Sequence, residues 1–267
     1  MRRLTTFACA GETLAASLDD AGGRIGLLLV IGGSQTRIGS HRMYERLAKA
    51  LADRGFPCFR YDRRGVGDSG GEDPGFRGSG PDLVAAAAAF RAESPALSRI
   101  VGFGLCDGAS ALALFGGEAG LAGLILVNPW LVETAEEDSP PAAAIRRHYW
   151  KRLTSREGWT KIVTGAVNWR KLFTGVRRAS ALSRAPLAAD IADALRASAL
   201  PVHLILAEGD ATAIAAEAEC KAAAFDGLIA GRETLATDSH TFARPGDEAA
   251  LLAAVERALA ALAPQAS

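Results

Sequence analysis

Residues 99–110 read RIVGFGLCDGAS, and the fold follows from how this stretch divides. RIVGFGL is an apolar run with β-branched residues, which suits a buried strand. DGASALALF, residues 107–115, has helix-forming composition and is stopped by Gly116 and Gly117. Between strand and helix stands Cys106, with Gly104 and Gly108 two residues to either side. G-x-C-x-G in this setting has the form of a nucleophile elbow, a tight turn that thrusts one side chain outward and usually carries serine. Glycines at 104 and 108 relieve the crowding such a turn creates. The competing reading is a small buried hydrophobe, because free cysteines are commonly buried.

Outward from this stretch the chain alternates. On its N-terminal side, the first thirty residues alternate loosely, and the Gly11-Glu12 pair predicts a hairpin turn between two short strands. IGLLLVIGG (25–33) is a continuous apolar run suited to a parallel strand. A helix is predicted over HRMYERLAKALADRG (41–55), capped by Ser40 and ended by Gly55. FPCFRYD (56–62) is a strand and DLVAAAAAFRAE (82–93) a helix, and GLILVNPW (123–130) is the sixth strand. The pattern predicts an α/β chain with a mostly parallel central sheet and helices on both faces.

The rhythm breaks after Trp130. Residues 131–198 offer no convincing strand but several helical stretches, among them AAAIRRHYWKRL (142–153) and LAADIADALRASA (187–199). Strand and helix then resume with LPVHLILAEGD (200–210), ATAIAAEAECKAAAFDG (211–227) and LIAGRETLA (228–236), before a last amphipathic helix over 246–263. The expected organisation is a core formed by 1–130 and 199–267, with a helical cap, 131–198, inserted after the sixth strand.

Composition narrows the function classes. A chain of 267 residues, 49% hydrophobic, can bury one large core. Net charge is zero, which gives no case for nucleic acid. The four cysteines, Cys9, Cys58, Cys106 and Cys220, form no C-x-x-C pair and have no histidine at zinc spacing, so neither metal nor cofactor is implied. Free thiols fit a reducing cytoplasm. The first residues are broken by Thr5, Thr6 and Glu12, unlike a signal peptide, and no apolar run reaches membrane-spanning length. The expectation is a soluble cytoplasmic protein.

The partners of an elbow nucleophile come later in the chain, acid first and histidine last. Asp210 ends a predicted strand, and His240 in LATDSHTFAR precedes the last helix. The order Cys106, Asp210, His240 therefore fits, with Glu208 and Asp238 as competing acids. Of the other histidines, His203 lies inside a strand and His148 inside the insertion. A neighbouring imidazole and the helix N-terminus would both favour the thiolate at Cys106. The backbone N–H of Asp107 is the expected oxyanion donor, although its carboxylate would oppose a thiolate unless it turned toward the first helical turn or the cap. A second donor is expected in the loop VIGGSQTRIGSHR, from Ser34 or Gln35. Arg37, His41 and Arg42 are near enough in sequence to line the site, or are solvated loop charges. Residues 65–70, GVGDSG, match the dinucleotide fingerprint, but GEDPGFRGSGP follows where that motif requires a helix. Nucleotide binding there is excluded.

FRYDRRGVGDSGG instead resembles a structural turn common in α/β-hydrolases, represented by Asp62, Arg64, Gly65, Gly67 and Ser69. The chain resembles that superfamily over nearly its full length. More narrowly, GGSQTRIGSHR, YDRRGVGDS, GLCDGAS, EGDATA and DSHTF resemble the exosortase A system-associated hydrolases of type 1. Those proteins carry cysteine in the elbow and are associated with bacterial exopolysaccharide and protein-sorting loci. The resemblance implies a cytoplasmic hydrolase or acyl transferase with Cys106, Asp210 and His240 as its triad. It does not specify a substrate.

The insertion adds a charge signal. From Arg146 to Arg184 there are eleven Lys or Arg against one acidic residue, Glu157. Such a run is either a solvated helix surface or a field that steers anionic partners. An acyl thioester, an acidic acyl carrier protein, an anionic polysaccharide or a membrane surface would suit it. Arg146, Tyr149 and Trp150 in the insertion, and Trp130 at a strand end, are the substrate-binding candidates. Two functions follow: an ester- or thioester-cleaving enzyme using Cys106, or a non-catalytic member that binds an acidic partner through the basic cap.

Overall fold

The Ala10–Gly11 corner has φ of 50° and 84°, the left-handed geometry of a two-residue hairpin whose twist matches its strands. It joins β1 (Arg2–Cys9) to β2 (Glu12–Asp19). The computed structural model describes residues 1–132 and 186–262. Six further strands follow: β3 (Ile25–Val30), β4 (Cys58–Tyr61), β5 (Arg99–Leu105), β6 (Gly123–Val127), β7 (Val202–Ala207) and β8 (Ile229–Leu235). Their order across one sheet is β1-β2-β4-β3-β5-β6-β7-β8. β1 and β2 run antiparallel to their neighbours and the remaining pairs are parallel.

The apolar runs of β3, β6 and β7 are buried throughout or nearly so, because helices cover both faces. Among the described residues the α-helices are α1 (Met43–Ala52), α2 (Gly80–Glu93), α3 (Asp107–Phe115), α4 (Pro186–Ser198), α5 (Ala211–Glu219) and α6 (Asp247–Leu262). Leu28 and Val30 join Phe90 of α2 and Leu112 of α3 in one core layer. Their neighbours Leu27 and Leu29 join Leu47 of α1 and Val255 of α6 in the other. The two-residue period of the strand thus divides the core.

Three elements differ from the sequence-based expectation. Ser40 does not cap α1; it opens a short 3₁₀ turn, and left-handed backbone at His41 and Arg42 delays the helix to Met43. The helix expected over 211–227 ends at Glu219, and a separate 3₁₀ turn forms at Ala223–Phe225. The last helix assigned to the insertion, α4, is part of the core. Leu187, Ala188, Ile191, Ala192 and Leu195 make one helical stripe, fully buried on the side of the sheet that α3 occupies. The helical stretch expected over 142–153 lies outside the described residues. No helix among those described is long and apolar enough to cross a membrane.

Candidate active site

β5 ends at Leu105 and α3 begins at Asp107, so Cys106 alone makes the turn, at φ 59° and ψ −127°. A non-glycine residue held there costs on the order of 1–3 kcal/mol. Neighbouring bonds impose it. The Cys106 N–H donates to Val127 O at 3.0 Å, and its carbonyl accepts from Ala109, Ser110 and Trp130 at 3.1, 3.2 and 3.2 Å. The glycines make room: a Cβ on Gly104 would stand 2.7 Å from the Gly108 carbonyl, and one on Gly108 only 2.5 Å from Val30 O. The thiol is partly exposed and lines a cavity of about 290 Å³ at the carboxyl edge of the parallel strands.

Asp210 and His240 arrive from the loops after β7 and β8. Asp210 follows β7 and caps α5, its Oδ2 accepting the Ala213 N–H at 2.9 Å. The same oxygen lies 3.0 Å from Nδ1 of His240, in the loop after β8. His240 and Cys106 share the wall of the same cavity. Burial opposes the imidazolium, but bonds to Asp210 and Cys106 and the charges of both outweigh it, raising the pKa to about 10. The competing acids face elsewhere. Glu208 is exposed, and Asp238 is an exposed partner of Arg244 at 3.0 Å.

Asn128, which sequence reasoning passed over, holds this histidine loop. It is fully buried just after β6, at φ 40°. Its Oδ1 accepts the Ala207 N–H at 2.8 Å and its Nδ2 donates to His240 O at 3.1 Å. The signal was present in LVNPW: a polar residue tolerant of left-handed backbone, ending an apolar strand. Tyr44 was missed as well. Its buried hydroxyl donates to Val30 O at 3.1 Å and accepts the Leu105 N–H at 3.0 Å. The β3–β5 ladder stops at Val30↔Gly104, and Tyr44 fills the first step beyond it.

The remaining candidates divide. Asp107, Gln35 and Trp130 are on the cavity wall. The Asp107 carboxylate accepts the Gly33 N–H at 2.6 Å, across from the first turn of α3; the cap lies outside the described residues. Gln35 closes its own loop, Oε1 accepting the Ser40 N–H at 2.8 Å. Ser34 is off the wall. Arg37 is off it too, drawn away by an ion pair with buried Asp62 and by a bond to Asp68 at 2.9 Å. His41 sits behind the wall, its Nε2 3.0 Å from Thr241 O. Arg42 pairs with Glu45 at 2.5 Å. Arg146, Tyr149 and Trp150 lie outside the described residues.

The GVGDSG stretch is a loop, with no helix before Gly80 other than one 3₁₀ turn. Ser69 Oγ donates to Asp62 O at 2.6 Å and accepts the Ala15 N–H at 3.0 Å, a structural role.

A sheet of this order, with a strained elbow after β5 and an Asp–His pair after β7 and β8, defines an α/β-hydrolase. The chain belongs to the Hydrolase_4 family, serine aminopeptidase S33, whose model matches residues 30–223. The family is named for serine, whereas this elbow carries Cys106. No curated protein matches the sequence. Among solved structures it is similar to the α/β hydrolase GrgF from Penicillium sp. sh18, at 18% identity over 98% of both chains, with a TM-score of 0.64. Est1E from Butyrivibrio proteoclasticus, with ferulic acid bound, is 16% identical over 97% of this chain and 100% of its own, TM-score 0.63. A thermophilic esterase from Thermogutta terrifontis is 23% identical over 97% and 99%, TM-score 0.57. At these identities the likeness is one of fold.

Proposed function

We propose that the protein is a cysteine-dependent acyl hydrolase acting on an ester or thioester, with Cys106 as nucleophile, His240 as acid and base, and Asp210 as its orienting partner. The observation that carries this reading is the strained elbow that presents Cys106 to a cavity and to a histidine already bound to a buried carboxylate. The pKa of His240, raised to about 10 with Asp210 as its bonded partner, supports an imidazolium at neutral pH, ready to act as the acid. The thiolate Sγ attacks the carbonyl carbon and the carbonyl π electrons move to oxygen. The Asp107 N–H, in the first helical turn where no intrahelical acceptor exists, is the first oxyanion donor. A donor from the loop at Gly32–Gln35 is the second. Collapse expels the alkoxide or thiolate, which takes the Nε2 proton of His240. Nδ1–H stays on Asp210 throughout. Neutral His240 then accepts a proton from water as it attacks the acyl-cysteine, and the thiolate leaves.

The printed names of similar structures, an esterase and a protein holding ferulic acid, favour an ester carbonyl, and the wall supplied by Phe76 and Trp130 suits an apolar acyl group. The basic run between Arg146 and Arg184 favours an anionic leaving group or an acidic carrier protein. The likeness of the five motifs to the exosortase-associated hydrolases favours a bacterial exopolysaccharide setting. The test is intact-mass spectrometry after incubation with activated esters and acyl thioesters. An acyl adduct confined to Cys106, absent in Cys106→Ala, is the expected result. Wild-type turnover by folded Cys106→Ala would overturn the reading.

A further inference from the structure

Asp107 is an unexpected residue beside a thiol nucleophile. A carboxylate there opposes both the thiolate and the negative charge that develops on the substrate oxygen. Its position in the first turn of α3 offers some compensation from the helix dipole, but a neutral residue there would avoid the repulsion. The contacts of the side chain supply the reason. Oδ1 accepts the Gly33 N–H at 2.6 Å, across the gap between the β5 elbow and the loop after β3. A Cβ on Gly32 would overlap this same oxygen and come within 2.6 Å of Leu105 O. The loop therefore rests directly on the elbow, and Gly33 holds a left-handed φ of 61° at the contact.

We infer that the Asp107 side chain is a positioning residue: its carboxylate clamps the Gly32–Gly33 loop to the elbow and so fixes the second oxyanion donor relative to Cys106. One residue then sets both halves of the oxyanion site, its own N–H and, through its side chain, the placement of the opposing loop. The loop is otherwise fastened near this point by Gln35, whose Oε1 takes the Ser40 N–H at 2.8 Å. That bond closes the loop on itself and makes no connection to α3. The Asp107–Gly33 bond does, at the level of the nucleophile. The catalytic consequence rests on the acyl-hydrolase reading above; the clamp itself does not.

The requirement is for an acceptor oxygen, not for a charge, and this separates the clamp from a general electrostatic role. Asp107→Asn keeps Oδ1 and removes the charge, whereas Asp107→Ala removes both. Amide hydrogen exchange at Gly33 tests the clamp without reference to catalysis. Exchange is expected to accelerate at least tenfold in Asp107→Ala and to stay near the wild-type rate in Asp107→Asn. Equal exchange in wild type and Asp107→Ala overturns the clamp, whatever substrate the enzyme takes. Two rates then test its consequence. Alkylation of Cys106 by iodoacetamide needs the thiolate but no oxyanion site, so Asp107→Ala should not slow it. Acylation by p-nitrophenyl acetate needs both, and Asp107→Ala should lose about tenfold to a hundredfold, less than the roughly hundredfold to thousandfold of an oxyanion donor removed outright, because the loop donor is displaced and not deleted. Asp107→Asn should recover most of that loss. If Asp107→Asn falls as far as Asp107→Ala, the charge and not the bond is responsible. Failure of the wild type to acylate would refute the acyl-hydrolase reading, and the exchange measurement would still decide the clamp.

Discussion

Replacing Asn128 by alanine should uncouple the histidine loop from the sheet. Two side-chain bonds are lost, the 2.8 Å acceptance from Ala207 N–H and the 3.1 Å donation to His240 O. Ala207 is 1% exposed, so its N–H is left buried without a partner, at about 1–3 kcal/mol. Loss of the second bond adds about 0.5–1.5 kcal/mol. The backbone at φ 40° suits asparagine better than alanine, which adds up to about 1 kcal/mol. The sum is about 2–5 kcal/mol, against a typical domain stability of about 5–15 kcal/mol, so the variant should fold but be weakened. Asn128→Gly loses the same bonds and relieves the backbone, which isolates the conformational part.

The effect on turnover follows from what the loop carries. His240 must keep Nδ1 on Asp210 and its other nitrogen at Cys106, and a displacement of about 1 Å in such a group is worth about a hundredfold. Urea unfolding gives the stability change. Ester turnover, measured in buffer where the variant is almost fully folded, gives the catalytic change. The expected result is a loss of at least tenfold in kcat with KM little altered. A destabilisation below 1 kcal/mol together with wild-type turnover would refute the assignment of Asn128 as the anchor of the histidine.

Tyr44→Phe should cost about 1–3 kcal/mol, because Val30 O and Leu105 N–H both lose their partner in a buried setting; a urea midpoint equal to wild type would contradict the bridging role. Cys106→Ser should lower kcat by about a hundredfold or more, near 3 kcal/mol in the barrier, since a hydroxyl must be deprotonated during attack; equal turnover on the same ester would show that the sulfur is dispensable. His240 is raised from its ordinary value to about 10 in the folded state. Its contribution to stability is therefore fully present below about pH 6.5 and is lost as pH rises through about 10. The difference in stability between wild type and His240→Ala should shrink over that interval, and nuclear magnetic resonance should show an imidazolium at pH 7 whose pKa falls in Cys106→Ala. A ring titrating near 6.5 in the wild type would contradict both.

The centre of the fold was legible because its signals are local. Gly104 and Gly108 on either side of Cys106 announce a close strand-to-helix turn, and a Cβ on Gly104 would strike the Gly108 backbone. The hairpin and the parallel strands were equally readable. What was not readable depends on remote partners. Asp210 and Glu208 are both acids after β7, and only the meeting with His240, thirty residues on, separates them. Arg37 and His41 look alike as charges in a site loop, yet Asp62 and Thr241 draw them off. The helical stripe of α4 was visible from its period, whereas its burial against α3 and the sheet was not, because periodicity names the buried face and not the element that buries it. The helix expected after β7 ran too long for a related reason: alanine favours helix throughout 211–224, and packing of Phe225 into the core ends it sooner.

The site is a row of loops tied to their neighbours in the order of the strands. β3, β5, β6, β7 and β8 lie side by side and parallel, so their carboxyl ends share one edge. Asp107 ties the β5 elbow to the β3 loop at Gly33. The backbone of Cys106 ties the elbow to β6 through Val127 and Trp130, and Ser110 reinforces this, donating to Trp130 O at 2.5 Å. Asn128 ties β6 to the end of β7 and to the β8 loop, and Asp210 closes the series on His240. Each of these ties spans adjacent or next-adjacent strands, so the geometry of the nucleophile is set by the links on its two sides. Changes at Asp107 and at Asn128 act on opposite sides of Cys106 and share no partner, which predicts near-additive losses in the double variant. Changes at Asn128 and Asp210 both act through His240, and their losses should overlap.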